Sequence, residues 1–195
     1  MKNSIFKLFS PKLLVMLLPL FILSSCATET MVLKKGYDFN KIKRVAVLQF
    51  KEYTFTRYTG SMVSQLFVKY MLKAGYNVVE RDELDAILRE RQLSESNLLD
   101  PSQVRTFKLS GIDAIVTGAI TREIPEQDLF ENGNPRFIAA QVGITCRMID
   151  VETGEILWAG SDTYDGTNTQ TAFEYLTSSM VRNLIDDIRT VSAGK

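Results

Sequence analysis

Residues 43–50 read KRVAVLQF. The run is β-branched and apolar after a polar stretch, the composition of a strand. The residues that follow make it the first strand of a crossover unit. Met62, Val63, Leu66, Phe67, Tyr70 and Met71 recur at helical spacing, with Thr59 as a start signal and Gly75 as a stop. Tyr76–Glu80 (YNVVE) predicts a short second strand, and Asp82 caps a helix with Leu84, Ile87 and Leu88 on its inner face. Asp100-Pro101 opens a further helix that Gly111 closes, with Val104 and Phe107 turned inward. Ala114–Ile120 (AIVTGAI) is a third, buried strand.

The second half of the chain has a different rhythm. Residues 122–136 are charged and contain Pro125, Gly133 and Pro135, which predicts a loop. Phe137–Val151 and Gly154–Tyr164 read as two strands around the turn Asp150-Val151-Glu152-Thr153-Gly154, with Gly154 supplying the positive φ. Asp165–Thr171 is a polar connection. A last helix then lines up Phe173, Leu176, Met180, Val181, Leu184, Ile185 and Ile188. The order is β-α-β-α-α-β, a hairpin and a terminal helix. It predicts one α/β domain: a single mixed β-sheet with a βαβ-type first half, an antiparallel hairpin in the second half and a C-terminal helix.

At the N-terminus, Lys2, Lys7 and Lys12 precede the apolar block Leu13–Leu23, and Leu23-Ser24-Ser25-Cys26 ends it. A positive region, an apolar region and small residues before a cleavage point make an export signal. The cysteine makes it resemble a lipoprotein signal, with Cys26 acylated as the first mature residue. The block is shorter than the ~20 apolar residues of a membrane span, and Pro19 interrupts it. The sequence therefore divides into a signal peptide at 1–25, a lipidated N-terminus and tether at 26–41, and a folded domain at 42–195. Ala27 follows Cys26, where an aspartate would signal inner-membrane retention in some bacteria, so the expected location is the outer membrane, lipid-anchored and facing the periplasm.

Removing residues 1–25 from the 195 leaves 170, enough for one domain with a real core. The leader holds three of the 23 basic residues and none of the 23 acidic ones, so the remainder carries 20 basic against 23 acidic, a net charge of −3. A nucleic-acid partner is not expected, because a basic face is the minimum requirement. Histidine is absent altogether, which removes the commonest metal ligand and general base. No Cys/His metal spacing and no Gly-rich phosphate loop is present, so no cofactor, metal or catalytic residue is expected. Glu80, Asp82 and Glu83 form a solvated helix start, and capping accounts for Thr59-Gly60-Ser61. Alternation places Cys146 with Ile144 and Met148 as a small buried thiol. Tyr53, Phe55 and Tyr58 lie in the connection after the first strand and are the candidate partner-binding residues.

Four landmarks carry a resemblance: KRVAVLQF; NVVERDELDAILRERQLSES; GIDAIVTGAITRE, with Gly111, Asp113 and Gly118; and MIDVETGEILWAG, with Thr153-Gly154-Glu155. Their order and spacing over about residues 41–165 are similar to those of CsgG-like lipoproteins, the curli secretion channel family. The resemblance implies a fold of the kind described, ring-type self-association, envelope protein partners and no enzymatic activity. Channel-forming members insert long hairpins as a transmembrane barrel, whose strands alternate apolar and polar over ~9–11 residues. Residues 122–136, with Glu123, Glu126, Asp128 and Glu131, do not suit a lipid-facing role, so this chain resembles a short form without the pore. The expectation is a non-catalytic binding or assembly component of a secretion or envelope complex, attached to the membrane by its lipid. A lipoprotein regulator of a cell-wall synthase is the alternative. A 15-residue tether from Ala27 to Lys41 reaches at most ~50 Å, which is short for that role.

Overall fold

In the computed structural model the described residues are 31–52, 59–90 and 104–193. The strands are β1 (Met31–Leu33), β2 (Arg44–Val47), β3 (Lys51–Glu52), β4 (Asn77–Val78), β5 (Ala114–Ile124), β6 (Gln127–Glu131), β7 (Asn134–Ile138), β8 (Ala140–Asp150) and β9 (Ile156–Gly166). The helices are α1 (Thr59–Lys73), α2 (Arg81–Glu90) and α3 (Thr169–Ala193), with 3-10 turns at Phe39–Lys41 and Arg105–Ser110. The main sheet runs β1-β9-β8-β5-β2-β4, and β3 pairs with β5 further along the edge that β2 occupies. Pairing is parallel among β2, β3, β4 and β5, and antiparallel among β5, β8, β9 and β1. The mixed α/β sheet expected from the sequence is the one observed, with α3 as its C-terminal helix.

Two-residue periodicity sorts KRVAVLQF between two layers. Val45 and Val47 enter the core beneath α1 and α3, with Val63, Phe67, Met71, Phe173, Leu176 and Met180. Ala46 and Leu48 enter a smaller cluster on the other face, with Leu84, Ile87 and Leu88 of α2 and Val104, Phe107 and Ile112 around the second 3-10 turn. Each fully buried large apolar side chain contributes roughly 1.5–3 kcal/mol. The phase breaks after Leu48, because Phe50 returns to the α1/α3 side.

Ser64 of α1 stitches that break. Its Oγ accepts from the Phe50 N–H at 2.9 Å and lies 2.7 Å from the Gly60 carbonyl and 3.2 Å from the Leu48 carbonyl. Phe50 stacks on Phe67 with ring centroids 4.7 Å apart. Beneath it lies Gly118, where a Cβ would sit 2.4 Å from Phe50 Cε1 and 2.2 Å from the Thr145 carbonyl. The glycine is required for close approach, the role its position in a buried strand suggests.

Three elements differ from the sequence reading. The stretch read as tether already contributes to the sheet: Met31–Leu33 pairs antiparallel with Gly160–Trp158, and Phe39 is buried. The loop expected over 122–136 is not a loop. β5 continues to Ile124, and β6 and β7 form a separate two-stranded sheet. Its turn is Asn132-Gly133, at φ 54° and 78°, the left-handed pair a tight two-residue hairpin uses. Finally, the helix expected from Asp100 is, within the described residues, a 3-10 segment closed by Gly111 at φ 68°.

Two substitutions test this packing. Ser64→Ala strands the buried Phe50 N–H, and chemical denaturation should show a loss of about 1–3 kcal/mol. Gly118→Ala forces the Phe50 ring or β8 to move and should also destabilise by about 1–3 kcal/mol. Adding Phe50→Leu to Gly118→Ala should recover only part of that loss, because the new methyl strikes the Thr145 carbonyl as well as the ring.

Candidate interaction surface

The sheet is not evenly covered. α1 and α3 pack on one face along most of its length, while α2 and the second 3-10 turn cover only one end of the other. Beyond that end no described helix covers the second face. Register places Lys51, Ala119, Thr145 and Ser161 in one row across β3, β5, β8 and β9, and Thr117, Arg147 and Ala159 in the next. These rows line a depression of about 350 Å³, bordered also by Ile156. Neither Lys51 nor Arg147 has an ion-pair or hydrogen-bond partner for its side-chain charge among the described residues. The floor is small and hydroxyl-bearing, and two half-buried cations flank it.

The hairpin β6–β7 is the second exposed feature. All of β6 is exposed, with Phe130 at 80% and, on β7, Phe137 at 54%. The pairs Asp128↔Phe137 and Phe130↔Pro135 share one face, and Leu129↔Arg136 lies on the other. Asp128 has no partner among the described residues, whereas Glu131 pairs with Arg136 at 2.6 Å. The hairpin base is anchored: Glu126 accepts from the Thr169 N–H at 3.0 Å and from its hydroxyl at 2.9 Å, at the start of α3. The backbone N–H of Glu126 itself and these two Thr169 donors hold its carboxyl below the ordinary glutamate range. Asn168 Oδ1 caps the same helix through the Thr171 N–H at 2.9 Å.

The charged residues of the sequence landmarks serve the fold at the other end of the sheet. Asp113 Oδ2 accepts from the backbone N–H groups of Lys43 and Arg44, each at 2.8 Å, tying β5 to the entry of β2. Arg44 pairs with Glu83 of α2, and Arg81 with Asp85 at 3.1 Å. Asp150 accepts from the Thr153 N–H at 2.7 Å and from the Tyr37 hydroxyl, closing the turn in which Gly154 has φ 76°. Burial opposes the Asp150 charge, but the Tyr37 hydroxyl and the Thr153 donors outweigh it and keep the carboxyl below the ordinary range. Burial and the adjoining Asp150 push the Tyr37 phenol up.

The start of α1 offers no free anion site, because the Glu52 carboxylate already accepts from the Gly60 N–H and Thr59 Oγ1 donates to Glu123 at 3.0 Å. Cys146 is buried, and burial pushes its thiol up, as the alternation of β8 implies. Cys26, Tyr53, Phe55 and Tyr58 lie outside the described residues. The flanks of the aromatic segment are placed: it leaves the sheet at Glu52 beside Ile120 and returns at Thr59 beside Glu123. Among the described residues no three His, Cys, Asp or Glu side chains group as metal ligands, and no helix is long and apolar enough to cross a membrane.

Residues 32–122 match the family of the curli production assembly/transport component CsgG. The matched stretch runs from β1 into β5 and takes in the first two landmarks and nearly all of the third. No curated protein matches the sequence. Solved structures share the fold. The PelC dodecamer from Paraburkholderia phytofirmans aligns at TM-score 0.53 and 16% identity, over 77% of this chain and 94% of that one. Lipoprotein GNA1162 from Neisseria meningitidis aligns at 0.53 and 16%, over 74% and 99%. The hypothetical protein CT253 from Chlamydia trachomatis aligns at 0.51 and 9%, over 76% and 99%.

The Tyr37–Asp150 bond has a defined pH signature. A carboxyl held low in the folded state adds stability above the unfolded aspartate value of about 3.9, and loses it as pH falls through the lower folded value. Tyr37→Phe should therefore lower the melting temperature at pH 6, with the gap to wild type closing as pH drops below about 3.9. A gap independent of pH between 2 and 6 would place the effect in packing.

Proposed function

We propose that this protein is an outer-membrane lipoprotein whose CsgG-family domain faces the periplasm and acts as a non-catalytic binding and assembly component of an envelope complex. The observation that carries the reading is the pairing of a CsgG-family sheet with an N-terminal Leu23-Ser24-Ser25-Cys26 signal. Acylation of Cys26 attaches the domain to the membrane, since several acyl chains hold a protein durably at ~0.8 kcal/mol per buried methylene. Self-association into a ring is part of the reading, and the shared fold of the dodecameric PelC supports it. Envelope protein partners engage the exposed surfaces, with Tyr53, Phe55 and Tyr58 as candidate anchors.

The position of β1 favours this reading over a regulator of a cell-wall synthase. Between Cys26 and Met31 only residues 27–30 intervene. Such a stretch spans roughly 17 Å fully extended, too short to carry the domain far from the bilayer.

Cys26→Ser should move the protein from the membrane pellet to the soluble periplasmic fraction while leaving its melting temperature unchanged. Crosslinking of the wild type in intact cells, followed by mass spectrometry, should return multiples of the chain together with envelope proteins. Retention of Cys26→Ser in carbonate-washed membranes would show that another part of the chain holds the bilayer, and the lipid-only attachment would be wrong.

A further inference from the structure

The two exposed features of the domain are complementary in charge. The hairpin offers a carboxylate, Asp128, one rung from its base, with no partner among the described residues and on the same face as Phe130, Pro135 and Phe137. The sheet face offers two cations, Lys51 and Arg147, with no partner among the described residues, over a small-residue depression of about 350 Å³. Each of these would be a poor surface in isolation: exposed aromatics favour a partner, and half-buried cations favour a counter-charge. The hairpin continues β5 and β8 outward, and its two five-residue strands extend roughly 17 Å. Its base is tied through Glu126 to Thr169 at the start of α3, a helix packed on the opposite face of the sheet from the depression.

We propose that the open face between Lys51 and Arg147 receives the β6–β7 hairpin of a second copy of this chain. The Asp128 carboxylate enters between the two cations, and Phe130 and Phe137 lie over Thr117, Ala119 and Ala159. Charge complementarity selects the occupant: the receptor is cationic, and one face of the hairpin carries an acid flanked by apolar groups. The two surfaces are different patches of the same molecule, so the contact is heterologous. Such contacts propagate head to tail and close into a ring when the rotation permits. The inference rests on the self-association proposed above and names the surfaces that produce it.

A heterologous contact makes a distinctive prediction for mixtures. Full-length lipidated protein in detergent micelles is followed by sedimentation velocity as wild type, as Asp128→Lys and as Arg147→Glu. Wild type should assemble beyond dimers. Each variant alone should need at least about tenfold more protein to associate, because one half of every contact is repelled. An equimolar mixture should assemble beyond two chains and at lower protein concentration than either variant alone, since the unaltered hairpin of one variant fits the unaltered face of the other and the two reversed charges attract in the remaining contact. Lys51→Glu and Phe130→Ser provide second variants on each surface, and circular dichroism melts confirm that all are folded. If folded variants on both surfaces assemble like wild type, self-association stands but these surfaces do not carry it. If the mixture assembles no better than either variant alone, the head-to-tail pairing is wrong. If wild type is monomeric throughout the accessible concentration range, the self-association reading falls together with this one.

Discussion

The ring of Phe50 lying on the bare backbone of Gly118 is the constraint on which the rest of the architecture depends. It occurs where β2 ends and β3 begins, so one strand edge is divided into two segments with opposite facing. Ser64 makes the division tolerable by giving the Phe50 N–H a partner from α1. The same ring stacks on Phe67, which seats α1 against the sheet. Because the phase changes here, Lys51 faces the open side beside Ala119, and Glu52 is free to accept from the start of α1. A strand without this break would continue Leu48's alternation and turn both residues over.

The elements that the sequence displays most openly are those whose neighbours are generic. KRVAVLQF, the helix from Thr59 and the terminal helix are legible because an apolar stripe needs only an apolar partner, whichever one the fold supplies. The hairpin at 127–138 is harder to read because its strands are buried on neither face, so no alternation marks them. Prolines also point away from a strand, yet Pro135 stands on a two-stranded ribbon where an edge tolerates a missing donor. The informative signal is Asn132-Gly133, the dipeptide that tight hairpins prefer, which the surrounding charge obscures. Met31–Leu33 is similarly obscure, since three residues are too few to show a period.

The candidate surface is legible only in part for a related reason. Burial of Cys146 follows from alternation along one strand. The neighbourhood of Lys51 and Arg147, by contrast, depends on the order of four strands separated by up to a hundred residues. Local pattern carries no information about which rows meet across a sheet. The landmark carboxylates show the converse: Asp113 and Asp150 are conspicuous in the sequence, and both are consumed by backbone donors that hold turns and strand entries together.

β1 has a consequence for the integrity of the sheet. It is the outermost strand, three residues long, with Lys34 directly after it pairing with Glu155 across the turn. Short, charge-flanked edges discourage further strands from adding on. Without Met31–Leu33, the backbone of β9 around Trp158–Gly160 would present unpaired donors and acceptors to any passing strand. Residues 31–33 thus act as a hem on the sheet. A shortened chain beginning at residue 42 would retain its helices and most of its core, yet carry a raw edge prone to adventitious strand addition and aggregation.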